Sequence, residues 1–112
     1  MKLVTFTESL RTRIGVVVDD VVIDLSQAVP ELPTDMKAFL TAGAAAWTKA
    51  RDAQGSRRGR LALAVVRLEA PITHPGKILA IGLNYADHVH ESRQEIPTHQ
   101  IWFNKQWNCI AG

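Results

Sequence analysis

RIGVVVDDVVIDLS (residues 13–26) holds two Val/Ile-rich runs on either side of Asp19-Asp20. β-Branched residues favour a pleated, half-buried strand, and aspartate tolerates the backbone geometry of a tight turn. The stretch therefore reads as a β-hairpin, although the Asp-Gly or Asn-Gly pair that marks one most strongly is absent. Upstream, KLVTF (residues 2–6) is another run of strand formers. Residues 1–26 are thus expected to form a small antiparallel sheet.

Working outward, VPELP (residues 29–33) breaks the strand pattern, because each proline fixes its φ and lacks an N–H. Thr34 or Asp35 can cap a helix in which Met36, Phe39 and Leu40 recur at i, i+3 and i+4, with Gly43 as its stop. AAAWTKARDAQ (residues 44–54) reads as a second helix ending at Gly55, with Trp47 as its one large group to bury. GSRRGR (residues 55–60) could be a phosphate or nucleic-acid patch. With no aromatic interleaved and a net charge of only +2, it reads instead as a solvated loop. LALAVVRLEAPI (residues 61–72) suggests a strand from Ala64, and THPG (residues 73–76) a linker. The fold class expected is α+β: a small antiparallel sheet with two helices in residues 1–70, then the beginning of a second domain in residues 71–112.

The chain has 112 residues, 46% apolar and 21% charged, enough for a modest globular core. A net charge of +2 argues for neither a nucleic-acid nor a membrane partner. Cys109 is the only cysteine, which excludes an internal disulfide. A free thiol suits a reducing compartment, and the N-terminus has no apolar stretch of signal-peptide type. A cytoplasmic location is expected. No run approaches the ~20 apolar residues that span a bilayer.

KILAIGLNYADHVHE (residues 77–91) carries the chemistry. KILAI looks like a buried strand, and Gly82 permits a turn after it. Asn84, Tyr85, Asp87, His88, His90 and Glu91 follow within eight positions. If residues 85–91 are helical, His88 and Glu91 lie three apart on one face, with Asp87 near the same stripe. A neutral imidazole can take a proton near neutral pH, and a carboxylate on its other nitrogen would fix the tautomer. The same spacing also describes a solvated surface pair worth a few tenths of a kcal/mol. A zinc site from His88 and His90 with His74 or His99 lacks any recognised Cys/His signature.

The stretch PGKILAIGLNYADHVHE, with Pro75, Lys77, Ile78, Gly82, Asn84, Tyr85, Asp87, His88 and Glu91 in order, resembles the fumarylacetoacetate hydrolase family. The branch it resembles includes acylpyruvate hydrolases and bacterial 2-keto-acid enzymes. Phe103 and Lys105 match a following F-x-K pattern, and the N-terminal segment is similar to the small domain of that branch. The resemblance implies a metal-dependent enzyme, homodimeric in its full-length form, acting on dicarbonyl or 2-oxo acids, often by C–C bond hydrolysis. It implies His88 as the base that activates water and Glu91 as its partner. Lys105 would meet a substrate carboxylate, and Asn84 and Tyr85 would line the substrate or brace the turn. Mg²⁺ or Mn²⁺ would be held by a Glu-x-Glu pattern and an Asp farther along such a protein. Residues 71–112 would then be the truncated start of a mixed β-roll catalytic domain. They are expected to hold no metal and to be inactive alone, leaving an interaction module as the alternative reading. Gln106 and Trp107 depart from the pattern, which places a proline or small residue after the lysine.

Overall fold

A computed structural model describes residues 1–111. The chain divides into two compact units, Met1–Thr73 and His74–Ile110. The division falls three residues after the boundary expected at residue 70. Residues 71–73 stay with the first unit because Thr5 Oγ1 donates to the Pro71 carbonyl (2.7 Å) and Ile72 packs against the core.

The first unit is built on β1 (Lys2–Glu8), β2 (Arg11–Val18) and β3 (Val21–Asp24), joined by two tight turns. Val18 faces Val21 across the Asp19-Asp20 turn, with Asp19 at φ +52°. Ser9 and Leu10, both at positive φ, connect β1 to β2. Three short helices follow in sequence: α1 (Leu25–Ala28), α2 (Met36–Thr41) and α3 (Ala44–Asp52). One more than expected is present, because Asp24 ends its strand by capping α1 through the Ser26 N–H (2.9 Å). Asp35 caps α2 through the Ala38 N–H. Gly43, at φ +81°, separates α2 from α3.

The core lies where the helices meet one face of the sheet. Ile14 and Val16 from β2 pack with Leu25, Met36, Phe39, Ala46 and Ala50. Leu40, expected on the buried face of α2, is 41% exposed. Trp47 is only half-buried, against Phe39 at 5.4 Å between ring centroids. The alanines of α3 fill the contact instead, since small side chains let that helix approach closely.

The single strand expected from Ala64 is instead two, β4 (Arg60–Ala62) and β5 (Arg67–Glu69), split by a 3-10 turn at Leu63–Val65. They add to opposite edges, giving the antiparallel order β4-β3-β2-β1-β5. Flat, such a sheet would hold its edges about 19 Å apart at ~4.8 Å per strand spacing. A link of this length, with three residues rising ~2 Å each, reaches only about 13 Å. The sheet must therefore curl until its edges approach one another.

Inside that curl Arg13 and Asp24 are paired, 5% and 0% exposed, with Nε–Oδ2 at 2.6 Å. Arg13 also reaches Glu8 (2.9 Å) and lies 4.7 Å over the Phe6 ring. Ser26 and Gln27 complete the hydrogen bonds to Asp24. Burial alone pushes the Asp24 carboxyl up, but the hydrogen bonds from Ser26 and Arg13 and the guanidinium charge hold it below the usual carboxylate range. Gly59, at φ +70°, accepts the Asp24 N–H at 2.8 Å. A Cβ there would sit 2.7 Å from the Asp24 carbonyl oxygen, so only glycine fits.

The second unit is smaller. β6 (Ile78–Gly82) and β7 (Ile101–Lys105) form an antiparallel ribbon, and α4 (Ala86–Glu91) lies on the connection between them. KILAI is not a buried strand among the described residues: Leu79 is exposed, as are all five residues of β7. Ile101, Trp102 and Phe103 leave apolar surface on the ribbon.

Candidate functional site

The turn after β6 aims the polar cluster outward. The left-handed residue is Leu83, at φ +51°, rather than the Gly82 expected to make the turn; Gly82 stays within the strand, facing Ile101. Tyr85 then stands at the N-cap of α4 in extended geometry, without a side-chain cap. Asp87 in the first turn suits the positive end of the helix.

α4 is anchored by one side chain. Val89 is 4% exposed, while Asp87, His88, His90 and Glu91 around it are exposed. A valine between two histidines was the available signal for this anchor. The helix ends in a Schellman arrangement: Gln94 N–H bonds the Val89 carbonyl and Arg93 N–H the His90 carbonyl, both at 3.1 Å. Arg93 occupies the left-handed position at φ +52°, where glycine is usual. That substitution hid the helix end from a sequence search for Gly or Asn.

At ~100° per residue, three positions place His88 and Glu91 about 60° apart around the axis. They share a face, but no hydrogen bond or ion pair joins them among the described residues. The nearest backbone event is at His88 itself, whose carbonyl accepts from Ser92 N–H (3.0 Å) and Ser92 Oγ (2.6 Å). Pairing the ring with Glu91 requires only side-chain rotation, since both are exposed.

Of the expected site residues, Asn84, Tyr85, His88 and Glu91 lie on this one continuous segment. Lys105 does not join them. The register sets Gly82 opposite Ile101 and Ile78 opposite Lys105. Lys105 is therefore at the other end of the ribbon, four strand steps or about 13 Å from the turn. A depression of about 340 Å³ between residues 81–84 and 97–100 includes Asn84 but neither His88 nor Glu91. Among the described residues, no three His, Cys, Asp or Glu side chains are grouped to hold a metal ion. That includes the histidines considered for zinc.

No family model matches the chain. It is 40% identical over 116 residues to oxaloacetate tautomerase fahd2, mitochondrial, of Xenopus laevis, which covers all of this chain and 36% of that protein. Over 117 residues it is 34% identical to the fumarylacetoacetate hydrolase domain-containing protein 2 homolog of Dictyostelium discoideum, again covering the whole chain and 38% of the relative. The crystal structure of an HpcE-like protein from Mycobacterium smegmatis superposes with a TM-score of 0.76 at 26% identity, over 100% of this chain and 38% of that one. The chain thus spans little more than a third of the proteins it matches. With its motif residues in order, its antiparallel α+β fold in place and its full length aligned to these proteins, the chain belongs to the fumarylacetoacetate hydrolase family.

Proposed function

We propose that this chain is the base-bearing portion of an enzyme that moves a proton on a 2-oxo dicarboxylic acid of the oxaloacetate type, interconverting its keto and enol forms. The observation that carries the reading is the 40% identity, over the full chain, to a protein named as an oxaloacetate tautomerase, together with His88 and Glu91 on one face of α4. In the keto-to-enol direction the His88 imidazole takes the proton from the carbon beside the oxo group. The C–H electron pair becomes the C=C bond, and the proton is returned at the oxo oxygen. Glu91, rotated onto the other ring nitrogen, fixes the tautomer and stabilises the imidazolium formed in between. A positioned base of this kind contributes on the order of 10²- to 10⁴-fold.

The reading includes a divalent ion, Mg²⁺ or Mn²⁺, supplied with its ligands by residues outside this chain. The side chains described here do not fit one, having no grouped carboxylates or histidines. C–C bond hydrolysis of an acylpyruvate is the second reading, supported by the motif's resemblance to hydrolases of the family. There His88 would take its proton from water instead.

The test is a chimera in which this chain replaces the matching portion of the Xenopus relative. It is offered oxaloacetate and an acylpyruvate separately with Mg²⁺. Loss of the enol absorbance of oxaloacetate without release of a cleaved acid supports tautomerisation. Cleavage of the acylpyruvate with no effect on the enol would replace it by the hydrolytic reading.

A further inference from the structure

GSRRGR (residues 55–60) places three arginines within four positions, and no carboxylate occurs from Ala53 to Leu68. Arg57, Arg58 and Arg60 are exposed, as expected of a solvated loop, but the backbone that carries them is held at both ends. Ser56 N–H bonds the Ala53 carbonyl (2.9 Å) behind α3, and Asp24 N–H bonds the Gly59 carbonyl (2.8 Å). Between these anchors Arg58 N–H donates to Ser56 Oγ (3.0 Å), and Arg60 Nη1 donates back to the Ser56 carbonyl (3.3 Å). That last bond sets the Arg60 guanidinium beside the start of the loop. Arg57, Arg58 and Arg60 take part in no ion pair among the described residues. Asp24, packed against Gly59, is already taken by Arg13, Ser26 and Gln27. Arg51, in the last turn of α3, is a fourth exposed arginine without an ion pair, and the neighbouring Asp52 bridges none of them.

We propose that this loop is a docking surface for an acidic, extended segment of a partner protein, whose carboxylates pair with Arg57, Arg58 and Arg60. Like charges held close together repel, and a polyanion relieves that repulsion. The fixed backbone means that little ordering of the loop is needed on binding. Guanidinium forks match carboxylates two bonds at a time. From Arg57 to Arg60 the charges spread over as much as about 10 Å of chain. Alternate carboxylates of an extended segment lie about 7 Å apart and span that stretch, whereas a single small acid meets only one arginine. The loop has no aromatic side chain on which a base could stack, and no apolar one to enter a lipid surface, so a protein segment fits it better than single-stranded RNA or a membrane. The surface lies in the first unit and does not rest on the proposed reaction.

The experiment is titration of the isotope-labelled 112-residue chain, at low salt, with a short peptide alternating glutamate and serine, followed by amide and arginine Nε–H NMR shifts. The same peptide with glutamine in place of glutamate and a short oligouridylate are titrated in parallel. The expected result is a saturable shift centred on residues 56–60 that weakens as salt is raised. The glutamine peptide should not bind, and oligouridylate should bind several-fold more weakly. Replacing Arg57→Gln together with Arg58→Gln should weaken the acidic peptide about tenfold, as for two exposed charge pairs. Lys2→Gln with Arg11→Gln removes the same net charge from exposed positions outside the loop and should change the affinity by no more than about twofold. Absence of a saturable shift, binding of the glutamine peptide, equal losses from the two double variants, or oligouridylate binding as tightly as the acidic peptide would overturn the proposal.

Discussion

Among the described residues, Arg13 and Asp24 form the one ion pair buried at both ends. Both are buried, and removing one charge leaves the other without compensation. Asp24→Ala is expected to destabilise the first unit by roughly 3–5 kcal/mol, seen as a lowered urea midpoint. The double replacement Arg13→Met with Asp24→Leu is expected to cost much less than either single change, because no unpaired charge remains. The pH dependence has a definite sign. Asp24 is held below its ordinary range in the folded chain, so its stabilisation is fully present above the unfolded value of about 3.9. That stabilisation fades as pH falls through the lower folded value. Urea midpoints measured from neutral pH down to acid should decline in that window for the native chain and be flatter there for Asp24→Asn. None of this pairing was legible in the sequence. Arg13 precedes Ile14 and Asp24 follows Ile23 like ordinary outward-facing strand positions, and only the Gly15–Asp24 register brings them diagonally across the β2–β3 pair.

At the scale of elements, α4 is a six-residue helix with no side-chain N-cap and a non-glycine residue at its left-handed C-terminal position. Arg93→Gly should relieve the left-handed penalty, about 1 kcal/mol after the entropy glycine costs the unfolded chain. Slower amide exchange at Arg93 and Gln94 would report it; unchanged exchange would mean the Schellman bonds already hold the turn without strain. The β2–β3 hairpin and the Asp35 cap were readable because their signals are local: β-branched runs around a turn, and a side chain three residues before its N–H partner. The placement of β4 and β5 was not. LALAVVRLEA carries one continuous apolar signal, and what splits it is pairing with two strands, β3 and β1, that are distant in sequence. For the same reason the His88–Glu91 spacing could be read, whereas the separation of Lys105 could not. Motif order contains no strand register.

For the whole molecule, the chain carries a candidate base but no grouping of ligands for a cation among its described residues. The isolated 112-residue chain is expected to show no saturable Mn²⁺ binding by calorimetry and no change in the oxaloacetate enol decay rate over buffer. Tight Mn²⁺ binding would point to ligands the described residues do not provide. The exposed aromatic surface of the ribbon belongs to the same level. A two-stranded ribbon is marginal by itself in water, so the second unit should lose its amide protection at lower urea than the first. The most direct measurement is kcat/KM for oxaloacetate enol–keto conversion in the Xenopus chimera carrying this chain, compared with the same chimera bearing His88→Gln. A loss of 10²-fold or more with the fold intact is the expected result. Equal turnover in the two would remove His88 from the chemistry and contradict the assignment on which the functional reading stands.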